Sequence, residues 1–205
     1  KLAVRVNGEL LRTVTPSFAS QNKLAVLLVP FSLGSGTELS TAVLPDPATL
    51  AGQIKAFWPL AEVDIRTRAA YPLKSVSSST TAYTMLEELS DVRAAENGKV
   101  YYYGYFKSAM GDGCCGGVGY RPGYTAVGMD SDLGGEIMVH ELGHNLNLQH
   151  INCGSAPTPD LLYPYSANSI GSIGVNSSLT ELRQPNSYRD VMSYCTPKHV
   201  SDYHF

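Results

Sequence analysis

Apolar and polar positions divide this chain into elements before any chemistry is considered. Residues 2 to 15 read as a hairpin that turns at Asn7-Gly8. LAVLLVPF at 24 to 31 is a continuous apolar run bounded by Gly34 and Gly36, and it reads as a buried strand. DPATLAGQIKAFWP reads as a helix: Asp46 caps it, Pro47 takes the first helical position, Leu50, Ile54 and Phe57 share one face, and Pro59 stops it. AEVDIRTRA at 61 to 69 alternates as a strand does. A second helix fits 81 to 96, with Met85, Leu89 and Val92 as its apolar stripe and Asn97-Gly98 closing it. KVYYYGYF at 99 to 106 is rich in residues that favour strands.

The pattern then changes. GDGCCGGVGYRPGYTAVG at 111 to 128 is too glycine-rich for a core strand and reads as an irregular loop leading into a sheet edge. SDLGGEIMVHELGHNL fits a helix starting at Gly134 or Gly135, with Asp132 as its cap. Beyond 150, Pro157, Pro159, Pro164, Pro185 and Pro197 fall among Asn, Ser and Gly, so regular structure should be sparse. Strand, helix, strand, helix, strand order favours right-handed crossovers and a mainly parallel sheet. The expected fold class is therefore α/β: a mixed, mainly parallel twisted sheet with helices against it. Residues 1–205 form one folding unit in this reading, with a larger α/β part over 1–150 and a smaller, loop-rich part over 151–205.

Composition narrows the function classes. The 205 residues are 43% apolar and 16% charged, which is a globular balance. Net charge is −3 and no Lys/Arg run stands out, so neither a nucleic acid nor an anionic membrane surface is expected as a partner. No apolar run reaches the roughly 18 residues a membrane span needs. KLAVRVNGEL is neither a signal nor a transit peptide; in a secreted protein such a segment has been removed or lies outside this sequence. A surface rich in Tyr, Ser, Thr and Gly and poor in Lys and Glu is a style of secreted bacterial enzymes. The four cysteines, Cys114, Cys115, Cys153 and Cys195, permit two disulfides or other arrangements of bonds and thiols, and their even number points to an oxidising, extracellular setting. A monomer is expected.

The candidate chemistry lies in HELGHNLNLQH, 140 to 150, which holds three of the chain's five histidines. Helical residues four apart share a face, so His140 and His144 present two imidazoles to one point. Zinc accepts neutral imidazole nitrogens at about 2.0–2.1 Å. Glu141 is turned about 100° from His140 and flanks the ion, which sets a carboxylate beside a zinc-activated water. His150 joins them only if the chain reverses near 147. Glycine is the usual residue for such a reversal, and Asn147 is of the type next most tolerant of positive φ. The alternative, surface histidines on an amphipathic helix, fits a lone His pair better than this long motif.

The motif resembles that of the metzincins, the zinc endopeptidase clan of astacins, serralysins, reprolysins and matrix metalloproteinases. Their pattern is H-E-x-x-H-x-x-G-x-x-H followed by a methionine-bearing turn. DVMSYC, 190 to 195, offers that turn with Met192. Asn147 departs from the clan's Gly, and Ile151 after the third His matches none of the well-known subfamily signatures. The resemblance is thus to the clan, and most like secreted bacterial members near reprolysins and gametolysins. It covers most of residues 24 to 195, though its specific motifs are two.

The resemblance implies a zincin-like fold and a secreted zinc endopeptidase acting on extended polypeptide or glycoprotein. It implies one zinc ion on His140, His144 and His150, Glu141 as general base, and Met192 as an apolar floor beneath the imidazoles. Tyr194, two after the Met, would touch the metal or steady an oxyanion, against a structural reading of the same residue. Gly117, Val118, Gly119 and Tyr120 would lie on the substrate-binding edge, against a plain loop. If Cys153 and Cys195 both flank the metal, a disulfide between them ties the His150 loop to the methionine turn; free thiols are the alternative. Cys114 and Cys115 could bridge each other, stay reduced or pair elsewhere, with the vicinal bridge marginally preferred. His199 and His204 read as surface residues of a polar tail. Asp130, Asp132 and Asp160 match no EF-hand spacing, so Ca2+ is unsupported and they read as capping or solvated carboxylates. The alternative to an enzyme is a catalytically inactive metzincin-like module that binds a protein or glycoprotein; the intact Glu141 argues against it.

Overall fold

The computed structural model describes residues 2–7, 9–14, 22–33, 40–74, 81–107, 116–176 and 180–205. The predicted hairpin is present: β1 (Leu2–Val6) pairs antiparallel with β2 (Glu9–Val14), and Asn7 takes φ 50° in the turn. The main sheet is built on β3 (Asn22–Leu33). It pairs in parallel with β5 (Leu60–Thr67) on one side and β7 (Tyr101–Phe106) on the other. Beyond β7 lie β9 (Thr125–Met129), parallel, and β8 (Gly117–Gly119), an antiparallel edge. Two short strands, β4 (Ser40–Thr41) and β6 (Tyr71–Pro72), join the far end of β3. The α/β class with a mixed, mainly parallel sheet is what the chain forms.

Helices cover both faces. On one side pack α1 (Pro47–Phe57) and α3 (Gly134–Asn145), around Leu24, Val26, Leu28, Leu50, Ile54, Tyr103 and Leu142. On the other packs α2 (Ala82–Ala95), around Val29, Phe31, Met85, Leu89, Tyr102 and Phe106. Neighbouring residues of β3 and β7 thus feed opposite layers. That explains their unbroken apolar runs: a strand buried on both faces has no solvent side on which to place polar residues. Asp46 caps α1 as predicted, its carboxylate accepting from the Thr49 N–H at 2.8 Å.

Two predictions are corrected. Residues 125–128, read as part of a glycine-rich loop, belong to a strand inside the sheet that runs on to Met129, with Thr125 to Gly128 buried. Glycine is admissible there because an added Cβ on Gly128 would stand 2.1 Å from the Tyr103 hydroxyl oxygen. Asp132 does not cap α3. The cap position is Leu133, without a side-chain bond, and the Gly134 N–H is satisfied by the Ser131 carbonyl at 2.8 Å.

Residues 151–205 contain only two-residue strands and single 3-10 turns among the described residues, as the proline pattern implies. Ile151, Val191, Met192 and Val200 nevertheless belong to the same apolar cluster as α1 and α3. No helix among the described residues is long and apolar enough to cross a membrane.

Candidate metal centre

Helix α3 carries HELGHN and is buried almost throughout, from Met138 to Asn145. It ends in a Schellman motif: the Asn147 N–H donates to the His144 carbonyl at 2.8 Å and the Leu148 N–H to that of Gly143 at 3.0 Å. Asn147 takes φ 74°, the left-handed conformation that such an ending requires. This is the reversal expected from the histidine spacing, made by asparagine in place of glycine. It sends the chain back so that His150 faces the two helical imidazoles.

The three rings meet. The ligand atoms of His140, His144 and His150 all lie within 4.8 Å of one another, the one such group of His, Cys, Asp or Glu among the described residues. Each Nδ1 lies against a backbone carbonyl: His140 at 3.0 Å from Val191, His144 at 2.9 Å from Leu148, His150 at 2.7 Å from Pro157. A carbonyl only accepts, so each Nδ1 carries the hydrogen and each Nε2 is left with a bare lone pair. The His140 Nε2 is buried without a partner among the described residues, and those of His144 and His150 face each other at 3.0 Å. Two lone pairs at that distance repel unless something electron-poor stands between them. A cation satisfies all three at once, so the donor set fits a metal ion.

Burial enforces the neutral form that ligation needs. Desolvation pushes His140 down to about 3, helped by the neighbouring His144, and His144 down to about 4; His150 is lowered for the same reason. Glu141 is pushed up to about 8 by its own burial, against a smaller opposing pull from Lys198. Its Oε2 is buried with no hydrogen-bond partner among the described residues, an orphan that a cation or a water held by one would satisfy.

The floor of the site comes from the C-terminal part. Met192 is fully buried, and an added Cβ on Gly143 would stand 2.4 Å from its sulfur; only glycine lets α3 settle so close. The Met192 turn is tied to the His150 loop three ways: by the Cys153–Cys195 disulfide, by Ile151 N–H to the Met192 carbonyl at 3.0 Å, and by Tyr194 N–H to that of Cys153 at 3.1 Å. The expected disulfide is thus present. Cys114 and Cys115 lie outside the described residues. Tyr194 is half exposed, its hydroxyl 3.4 Å from the His150 Nε2.

A cleft of ≈ 410 Å³ opens over these groups, with Glu141, His144, His150 and Tyr194 among its walls. Gly117, Val118 and Gly119, the residues of β8, form another wall; Tyr120, just beyond, is not part of it. The glycines are there for closeness: a Cβ on Gly117 would stand 2.9 Å from the Glu141 Cγ, and one on Gly119 2.8 Å from the Glu141 carbonyl. Asn145 locks that hairpin to α3, its amide donating to the Tyr120 and Thr125 carbonyls at 2.9 Å each. A more apolar hollow of ≈ 400 Å³, bordered by Phe57, Trp58 and Phe205, holds none of the three clustered imidazoles.

Several residues here escape a sequence reading. Arg121, Tyr83, Pro157 and Thr158 line the cleft from loops or from another helix, with no spacing to announce them. Asp190 is fully buried and organises the turn, accepting from Met192 N–H at 2.7 Å, Ser201 N–H at 3.0 Å and the His204 ring at 2.9 Å. That corrects the surface assignment of His204, whose side chain is 4% exposed, and of His199, buried with its Nδ1 3.0 Å from Arg183. The three aspartates do not gather: Asp130 accepts from the Val43 N–H, Asp160 from Leu162 N–H and the Tyr203 hydroxyl, and Asp132 is exposed.

The sequence matches no family profile and no curated protein. Among solved structures the chain is similar to one described as "Structure of a chaperone-substrate complex", with 15% identity and a TM-score of 0.41; the likeness covers 91% of this chain and 30% of that one.

Proposed function

We propose that the protein is a metzincin-like, secreted zinc endopeptidase. The observation that carries the reading is a single arrangement: three imidazoles converge, two of them lining an open cleft, beside a buried glutamate whose Oε2 has no partner among the described residues. Three neutral imidazoles suit zinc and leave a fourth position free, as catalytic rather than structural zinc sites do. His140, His144 and His150 would hold the ion, the last two with their Nε2 atoms 3.0 Å apart. When bound, zinc supplies Lewis acidity that polarises a peptide carbonyl and makes a water more acidic.

The chain's own groups then do the proton work. Glu141 removes a proton from the water as its oxygen adds to the carbonyl carbon. As the carbon–nitrogen bond breaks, the same carboxyl returns that proton to the departing amine. A positive charge beside Glu141 favours its ionised form, which offsets the upward push of burial. The Tyr194 hydroxyl, 3.4 Å from the His150 Nε2, would donate to an oxyanion in this reading. The β8 edge, Gly117 to Gly119, offers main-chain groups to an extended peptide.

Casein hydrolysis by zinc-loaded protein tests this. Glu141→Ala should lower turnover by about 10²–10⁴-fold while zinc content by mass spectrometry stays near one ion per chain. Activity that persists in a zinc chelator removes the mechanism. Zinc bound at full occupancy with no polypeptide cleaved by the native chain would favour an inactive binding module.

A further inference from the structure

The cleft has one fixed cation among its described walls, Arg121. It sits on the loop between β8 and β9, which is pinned at both ends to α3. Tyr120 and Thr125 carbonyls hold the Asn145 amide, and the Gly123 N–H donates to the Asn145 carbonyl at 3.2 Å. With the Gln149 amide oxygen turned toward it, both terminal guanidinium nitrogens of Arg121 are gripped, at 2.6 and 3.1 Å. Gln149 directly precedes the third imidazole, so the reversal that delivers His150 also delivers the residue that aims Arg121.

Arg121 makes no ion pair among the described residues. It also borders a polar hollow that holds Asp160, but that carboxylate is engaged by the Leu162 N–H and the Tyr203 hydroxyl. Apart from Glu141 and the imidazoles of His144 and His150, the other described walls of the cleft, Tyr83, Gly117 to Gly119, Pro157, Thr158 and Tyr194, carry no charge. The cleft's one described carboxylate, Glu141, is buried and forms no ion pair with Arg121. An exposed guanidinium that is oriented by a neutral partner is built to take an incoming carboxylate through the N–H groups that Gln149 leaves open.

We propose that Arg121 is a specificity residue that selects polypeptides carrying a Glu or Asp close to the cleaved bond. The proposal rests on the endopeptidase reading and names its substrate class. Its physical basis is pre-organisation: the ordering cost of an arginine side chain is largely met before substrate arrives.

The test is a set of otherwise neutral peptides with Glu, Gln or Lys at each position around the cleaved bond, assayed with zinc-loaded protein. At one position the native chain should show kcat/KM roughly tenfold higher for Glu than for its neutral isostere Gln, and the ratio should shrink with added salt. In Arg121→Gln the ratio should fall to about 1, in Arg121→Lys to an intermediate value, and in Arg121→Glu the preference should pass to Lys. Ratios within each variant cancel any overall loss of activity. A second arm measures the affinity of the same peptides for zinc-loaded Glu141→Gln by fluorescence anisotropy, with and without Arg121→Gln. A Glu preference that survives Arg121→Gln in both arms, or no Glu preference at any position, overturns the proposal. If the native chain cleaves no peptide, the endopeptidase reading fails separately, and the binding arm alone decides the role of Arg121.

Discussion

The two helical imidazoles and the third one are held by different kinds of structure. His140 and His144 stand on α3, inside a layer whose order comes from regular elements: paired strands, a continuous apolar interface and backbone bonds repeated at short range. His150, Met192 and Tyr194 stand in a region with almost no regular structure among its described residues. Its order comes from a few ties between distant residues: one disulfide, one buried aspartate with three donors, and the carbonyls that receive the histidine rings. A repeated pattern spreads its stability over many weak, similar contacts. A tied loop concentrates it, so the second region should be the easier one to break at a single point.

Removal of the disulfide tests that contrast most strongly. It closes a loop of 42 residues, for which chain entropy predicts a loss of about 4 kcal/mol. Cys153→Ser with Cys195→Ser should lower the unfolding free energy by that order in urea titration. Zinc affinity should fall with it, while far-ultraviolet circular dichroism from the sheet and helices persists at low denaturant. Equal loss of both signals at the same denaturant concentration would show that the two regions are not separately secured.

The next effect is on pH, in metal-free protein. Folded His140 and His144 hold protons less tightly than their unfolded forms, whose ordinary value is 6.5. The unfolded chain therefore binds more protons below that value, and stability should fall as pH drops from 6.5 towards about 4 and then about 3. Glu141 has the opposite sign: folded, it keeps its proton up to about 8, while unfolded it releases it near 4.5, so stability should fall as pH rises through that window. Glu141→Gln should abolish the second trend, so its Tm advantage over the native chain widens from pH 5 to pH 8. Saturating zinc should reverse that advantage at neutral pH. A Tm difference independent of pH would mean that Glu141 is not desolvated in the folded protein.

The smallest effect belongs to the junction between the regions. At Asn147, with φ 74°, alanine should cost about 1–2 kcal/mol, whereas glycine should leave Tm nearly unchanged. If alanine and glycine behave alike, the left-handed turn is not what sets the direction of the chain into His150.

Much of the first region was legible because its signals are local. Asp46 before Pro47, the Met85–Leu89–Val92 stripe and Asn7-Gly8 each announce their structure within a few residues. The site was legible for the same reason, since the spacing of 140, 144 and 150 encodes both the helix face and the need for a reversal. What escaped depended on partners far along the chain. Val127 and Gly128 read as loop because glycine is rare in strands; nothing nearby says that Tyr103 and Ile137 occupy the space a side chain would take. His204 read as a surface residue because its partner, Asp190, lies 14 residues away on the other side of a turn. Arg121 had no signal at all, since its significance comes from the wall it shares with His144 and His150.

Each imidazole is aimed by a carbonyl from a different stretch of chain: Val191, Leu148 and Pro157. Two of these carbonyls, Val191 and Pro157, lie in residues 151–205, so ring orientation depends on that part being docked. A nascent or partly opened chain can offer two helical rings but cannot point all three, and its grip on an ion falls with every missing anchor. Occupancy of the site should therefore report whether residues 151–205 have docked against α3.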